Sequence, residues 1–499
     1  VRGLGWLYLL ALAGLGGVQL ALRADVWLLA ILLLIAAAAL LPLTRGGWRV
    51  SDGMYAIMTV YFGSGALVVK TLAGQPVQSN LHVPDLSAAY LLAGFGSITI
   101  GYGLSQGVRR PLRFARALRR VTGHEPNLRR FAVPIFALGA MFLLLQTQFR
   151  AIAVSGGFTA GGFGGFGTFY PLLMLGAAMQ AALVIRRPDQ RRHGLVLAAM
   201  AATILALTLA DNTKRTLFDF LFVVALAFVA LNGRVRWRWV GPGSVAAACI
   251  FALLLPAIQI VRTDPDVRGT ARIAATWDVL RANGFSASRL SAAQARVATG
   301  YRFAWIDSYV HPLTWNSERF TMIQPIDQVA RGLAEHGTMG SADLWRDPAE
   351  ALLPGFLIRK SLVTAPDRIA WHYGFRAKGS IARPVVGLIA SSLAAFGLAG
   401  VLLLPGAIAA ISFTLLDLVG GRLSGNVWAV FLLAATAFLA EREASTMLAF
   451  FCRSFPFILI VGGALLLVAR RPRRAAAAGD GRDYAPISAR RLATNAGAE

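Results

Sequence analysis

The sequence predicts an all-α polytopic membrane protein with about twelve transmembrane helices and one large, mostly helical extracytoplasmic loop. Two observations carry this reading. Of 499 residues, 56% are hydrophobic and only 15% are charged, against about 25% charged in soluble domains. Apolar runs close to the ~20 residues that cross a bilayer recur along most of the chain.

Taken in order, the apolar runs fall at 4–22, 26–43, 54–74, 87–107, 131–153, 169–185, 195–210, 217–232, 240–261, 385–418, 427–440 and 448–469. The first run lacks a basic leader and a small-residue cleavage site, so it reads as a span and not as a signal peptide. The run 385–418 is too long for one straight span, and Pro405 interrupts it. A tilted helix, a re-entrant piece plus a span, and two spans are all compatible with it. Two spans would move the basic tail to the outside.

Domain limits follow from these runs: 1–261 with nine spans, a large periplasmic loop at 262–383, three spans in 384–470, and a disordered, Ala-rich cytoplasmic tail at 471–499. Charge sets the orientation. Arg109, Arg110, Arg113, Arg116, Arg119, Arg120, Arg129 and Arg130 share one loop. Arg186, Arg187, Arg191 and Arg192 share another, Arg234, Arg236 and Arg238 a third, and the tail opens with Arg470, Arg471, Arg473 and Arg474. With twelve spans all of these lie on one side. The alternate segments 75–86 and 155–168 contain no Lys or Arg. Both termini are therefore expected in the cytoplasm, with the long loop outside.

The net charge of +25 belongs largely to these orientation signals, so nucleic acid is set aside as a partner. The two cysteines, Cys249 and Cys452, both fall in apolar runs and give no disulfide framework or zinc spacing. No HExxH occurs. The first outside loop has only Arg23 and Asp25 as charged residues. No metal and no cofactor are expected, and leaving-group charge has to be met by Arg and Lys.

Candidate functional residues cluster on the outer side. Lys214 and Arg215 open the run at 217–232 within Asp211-Asn212-Thr213-Lys214-Arg215-Thr216. Adjacent cations at a helix N-terminus suit a phosphate, although an interfacial snorkelling pair has the same pattern. Arg150 follows Gln146 and Gln148 late in the fifth run, where it can face a cavity or snorkel. The loop core carries Trp305, Asp307, Tyr309, Trp315, Glu318 and Arg319. Aromatic faces beside carboxylates suit sugar binding, and they equally suit a small aromatic loop core.

Residues 323–336 read as an amphipathic helix with an Asp327/Arg331 pair, ending on His336 as a candidate general base or a helix-terminal charge. Arg359 and Lys360, after Phe356 and Leu357, can meet a membrane-borne phosphate or rest on the membrane surface. Glu441-Arg442-Glu443 reads as a capping cluster or as carboxylates facing the same cavity.

At these residues the sequence resembles bacterial oligosaccharide repeat-unit polymerases of the Wzy, or O-antigen polymerase, class. Three features carry the resemblance: the span order with a large outer loop between spans nine and ten, the Asn212-to-Thr216 opening of a span, and Leu353-Pro354 through Lys360 followed by Tyr373-Gly374. The resemblance implies a metal-independent glycosyltransferase of the bacterial inner membrane. Its substrates would be undecaprenyl-diphosphate-linked oligosaccharides, and its product an O-antigen, capsule or exopolysaccharide. A chain-length regulator and a flippase would be its partners besides membrane lipid.

It further implies a pyrophosphate clamp from Arg215 with Lys214, Arg319, Arg150 and Lys360, and a base among Glu318, His336 and Asp307. Trp305, Tyr309 and Trp315 would bind sugar. O-antigen ligases share the layout and differ in acceptor. A lipid-linked-glycan flippase and a non-catalytic assembly partner are the other classes compatible with the chain.

Overall fold

The computed structural model describes residues 2–42, 47–107, 110–149, 166–211, 213–233, 240–262, 264, 267, 269–299, 308–310, 318–353, 361, 363–379 and 384–470. Of the described residues about 81% are helical, and no strand occurs among them. A helix stands at each of the twelve apolar runs: Arg2–Ala21, Val26–Ala37, Val50–Leu72, Pro84–Ser105, Glu125–Phe149, Tyr170–Arg186, Arg191–Asp211, Arg215–Ala230, 240–262, Leu388–Gly420, Val427–Thr436 and Ala444–Arg470. Among the described residues, seven of these are long and apolar enough to cross a membrane. The helices Gly5–Ala21, Val26–Leu40, Ala252–Arg262 and Val427–Glu441 are apolar but shorter.

Backbone hydrogen bonds define two ends of the bundle. At one end Val50 N–H donates to Gly421 O, Leu423 N–H to Trp48 O, Leu112 N–H to Leu418 O and Gly425 N–H to Ala230 O. Arg186 Nη1 reaches Gly123 O there. The segments predicted to share the basic side thus meet in space. A helix that the sequence reading did not anticipate, Arg113–Gly123, lies at this end. It buries Ala115, Leu118 and Thr122 and exposes Arg113, Arg116, Arg119 and Arg120.

The long loop sits at the opposite end. Its described helices are Ala271–Ala282, Ala287–Thr299, Ile323–His336, Ala342–Leu352 and Ala365–His372. Asp327 fastens helix 323–336 to the bundle. Its carboxylate accepts from His82 N–H (2.9 Å), Val83 N–H (2.8 Å) and Ser87 Oγ (3.0 Å), which caps the chain as it enters helix 84–105. The expected role of Asp327 as a partner of Arg331 gives way to this cap, because a buried carboxylate gains most from several short donors.

The run 385–418 resolves at Gly397, not at Pro405. Gly397 has φ +62°, a conformation suited to glycine. A Cβ on Gly400 would lie 2.1 Å from Ser392 O. In a straight helix residues eight apart are ~12 Å apart along the axis, so 388–396 folds back against 398–420. The first arm is only about 13 Å long at 1.5 Å per residue, too short for a span. Pro405 stays inside the helix because Ser97 of the neighbouring helix repairs the ladder: Ser97 Oγ donates to Leu402 O (2.7 Å) and accepts from Gly406 N–H (2.9 Å).

Helices 84–105 and 388–420 approach closely at Gly101, where a Cβ would stand 2.2 Å from Gly406 O. Only glycines permit this backbone contact. Gly101→Ala should therefore destabilise the protein by roughly 1–3 kcal/mol, read as a lower unfolding midpoint in detergent. Gly103→Ala, which meets nothing within 4 Å, should leave the midpoint within a small fraction of that shift.

Candidate functional site

Cations from four separate segments meet at the loop end of the bundle. Helix 215–230 supplies Arg215, whose Nε donates to Asp219 Oδ2 at 3.1 Å, one turn along the same helix. Tyr170 Oη, at the start of helix 170–186, donates to the same oxygen at 2.8 Å. The Arg215 guanidinium also lies 4.0 Å from the Phe438 ring centroid and 5.4 Å from that of Tyr170. Two aromatic faces and a carboxylate thus fix its plane.

Arg442 lies 5.8 Å from the Phe438 ring centroid and pairs with Glu441 at 3.5 Å. Arg319 pairs with the same Glu441 oxygen at 3.6 Å. Asp219 and Glu441 face these arginines, Glu443 stands beside Arg442, and Lys214 adds a fourth cation to the group. Side-chain exposures of 50% for Arg319 and 35% for Arg215 leave both open to an incoming anion.

The position of Arg319 follows from a defect in helix 50–72. Residues Val60–Ser64 form a π turn, and the Tyr61 carbonyl accepts the Met322 N–H at 3.2 Å. Gly65 has no Cβ, which lets Phe320 O come within 2.1 Å of where one would be. The Tyr61 and Phe320 rings contact at 5.3 Å. A π turn at a working site is a recurrent device, and here it seats the loop segment that carries Arg319.

Lys214 precedes the helix and is half-buried. Burial first, and then the neighbouring charges of Arg262 and Arg319, push its ammonium down to about 7. Arg262 ends helix 240–262, so a further segment contributes a cation nearby.

The other sequence candidates divide. Tyr309 is fully buried. Its Oη donates to Val77 O at 2.6 Å and its ring lies 4.1 Å from Lys70 Nζ. Sugar binding by Tyr309 is corrected accordingly: the ring and hydroxyl are consumed in pinning the loop to segment 70–80. His336 is 43% exposed, 3.8 Å from Glu335, with His372 and Tyr373 around it. It ends a helix whose start adjoins Arg319, which places it ~20 Å away along the axis, so the structure does not bring it to the cluster.

Asp307, Trp305, Trp315, Arg150 and Lys360 lie outside the described residues, as does the side chain of Glu318. No family model, curated protein or solved structure matches this chain. Among the described residues no group of three His, Cys, Asp or Glu side chains could hold a metal ion.

Several members of the cluster were not singled out from sequence. Asp219 carries a visible signal, a carboxylate four residues after Arg215 inside an apolar run. Tyr170 and Phe438 carry none, since aromatic residues are ordinary in spans. Nearby, Arg368 is engaged by Asp343, by Asp347 at 3.0 Å and by Val363 O at 3.0 Å, which makes it a strut of the loop. A cavity of about 20 Å³ between 339–344, 365–369, 391–395 and 443–445 has room for one water and no substrate.

The depressed Lys214 value gives a pH dependence with a definite sign. The folded protein loses this proton near 7, and an anion draws it back, so anion affinity should fall as pH rises from 6 to 8. Titration with a phosphodiester lipid, which has no proton to lose in that window, measures this. Lys214→Arg should flatten the curve. Without ligand the sign reverses: between about 7 and the ordinary 10.5 the unfolded chain holds more protons, so stability should rise with pH.

Proposed function

We propose that this chain polymerises lipid-linked oligosaccharide repeat units at the outer face of the bacterial inner membrane, with the Arg215–Arg319–Arg442 cluster receiving the pyrophosphate of the carrier. On this reading the chain crosses the membrane about twelve times, both termini are cytoplasmic and the 262–383 loop is periplasmic. The observation that carries the reading is the convergence of guanidinium groups from separate segments at the loop end, opposite the basic loops. Supporting it are the two glycan-side features of the sequence: the opening of helix 215–230 and the Leu353-to-Gly374 stretch.

The chemistry is a direct displacement. An acceptor sugar hydroxyl forms a bond to the anomeric carbon of the donor chain. The bond from that carbon to the pyrophosphate oxygen breaks, and the pyrophosphate leaves on its lipid with the bonding electron pair. Arg215, Arg319 and Arg442 offset the charge that develops on it, each through a fork of N–H donors. The helix 215–230 N-terminus adds its partial positive charge.

The hydroxyl proton passes to a carboxylate. Glu441 is buried and held by two arginines while the site is empty. A pyrophosphate that takes over those guanidinium groups frees Glu441 to accept the proton. Glu318, adjacent to Arg319, is the alternative base.

Arg215→Ala should reduce carrier-linked polymer by roughly 100-fold or more while the protein remains in the membrane at normal abundance. The assay is a purified-membrane reaction with lipid-linked repeat units, read as a ladder of chain lengths. An unchanged ladder would sink the proposal. Glu441→Gln, which keeps the shape and removes the base, should lower turnover more than substrate retention.

A further inference from the structure

Arg453 lies inside helix 444–470, within an apolar window. Counting ~20 helical residues back from the basic tail puts the outer edge of the hydrocarbon near residue 450. Arg453 is thus about one turn inside that edge, within reach of headgroups by snorkelling. Its Nη2 donates to Thr168 Oγ1 at 3.1 Å. Among the described residues no carboxylate pairs with it. An unneutralised guanidinium at this depth costs ~3 kcal/mol, which an anion can offset.

The surroundings suit a lipid. Phe457, one turn further along the same face, packs edge-on against Phe169 at 5.1 Å, and Phe169 stacks on Phe142 at 3.9 Å. Thr168, Phe169, Arg453 and Phe457 are all only half-buried. A headgroup at Arg453 would leave its chain lying along these rings. Segment 168–170 separates this place from the Arg215 cluster, with Thr168 facing Arg453 and Tyr170 facing Arg215.

We propose that Arg453 and Thr168 form a second binding position for a membrane-borne phosphate, open to the bilayer and separate from the Arg215 cluster. Arg215 is already matched by Asp219, whereas Arg453 waits for its counter-charge from the lipid. This goes beyond the catalytic reading and does not rest on it.

The test is retention of added lipid by the purified full chain in native mass spectrometry. The two probes are phosphatidylglycerol and undecaprenyl monophosphate. Arg453→Ala should retain at least one of them about tenfold more weakly, the value of one charge-assisted contact. Arg453→Lys should hold most of the wild-type level. Weakening of phosphatidylglycerol alone assigns the position to a phospholipid; weakening of undecaprenyl monophosphate alone assigns it to a polyprenyl carrier.

Equal retention of both probes by wild type and Arg453→Ala would overturn the proposal. So would an equal loss in Arg453→Lys, since the charge at this position would then not be what holds the lipid. If Arg453→Ala does not purify as a single species, Thr168→Val carries the same test. It removes the hydroxyl that orients the guanidinium, and it should weaken the same probe.

Discussion

Positive charge at the ends of apolar helices is the constraint around which this fold is arranged. A guanidinium in such a place must find carboxylates, aromatic faces or a ligand. Arg215 finds Asp219, Phe438 and Tyr170, and Arg319 and Arg442 converge on Glu441. Each partner comes from a different helix or connection. The site therefore exists only when the bundle and the loop are both assembled.

The loop is tied down by polar contacts at several points. Asp327 caps helix 84–105, Lys70 is enclosed by Ser79 and Gln75 and by the Tyr309 carbonyl and ring, and Met339 N–H reaches Ala394 O at 2.8 Å. These are buried contacts between neutral or singly charged groups, stronger in a low-dielectric setting than on a wet surface. They fix the loop to the bundle at 309, 327 and 339.

Much of this was legible in the sequence, for identifiable reasons. Long apolar runs announce helices almost independently of context, and each of the twelve runs is helical. Lys214 and Arg215 stood out because short outer loops ordinarily avoid cations. The gathering of the described arginine-rich segments at one end was readable from their charge alone. Tyr309 was not readable, since its burial is set by Lys70, 239 positions away. The bend in 388–420 was assigned to Pro405 by ordinary propensity, yet Ser97 on another helix restores the ladder there and Gly397 supplies the reversal. Asp219 could have been found by pairing charges at helical spacing inside an apolar run.

The π turn at Val60–Ser64 inserts one extra residue into an otherwise regular helix. One residue of α-helix corresponds to about 100° of rotation. The upper part of helix 50–72, which carries Lys70, is therefore out of phase with the lower part, which carries Asp52. A deletion that healed the turn would swing the upper half through that angle while withdrawing the Tyr61 carbonyl from Met322. The grip on the loop and the azimuth of the helix beneath it are one variable, set by a single surplus residue.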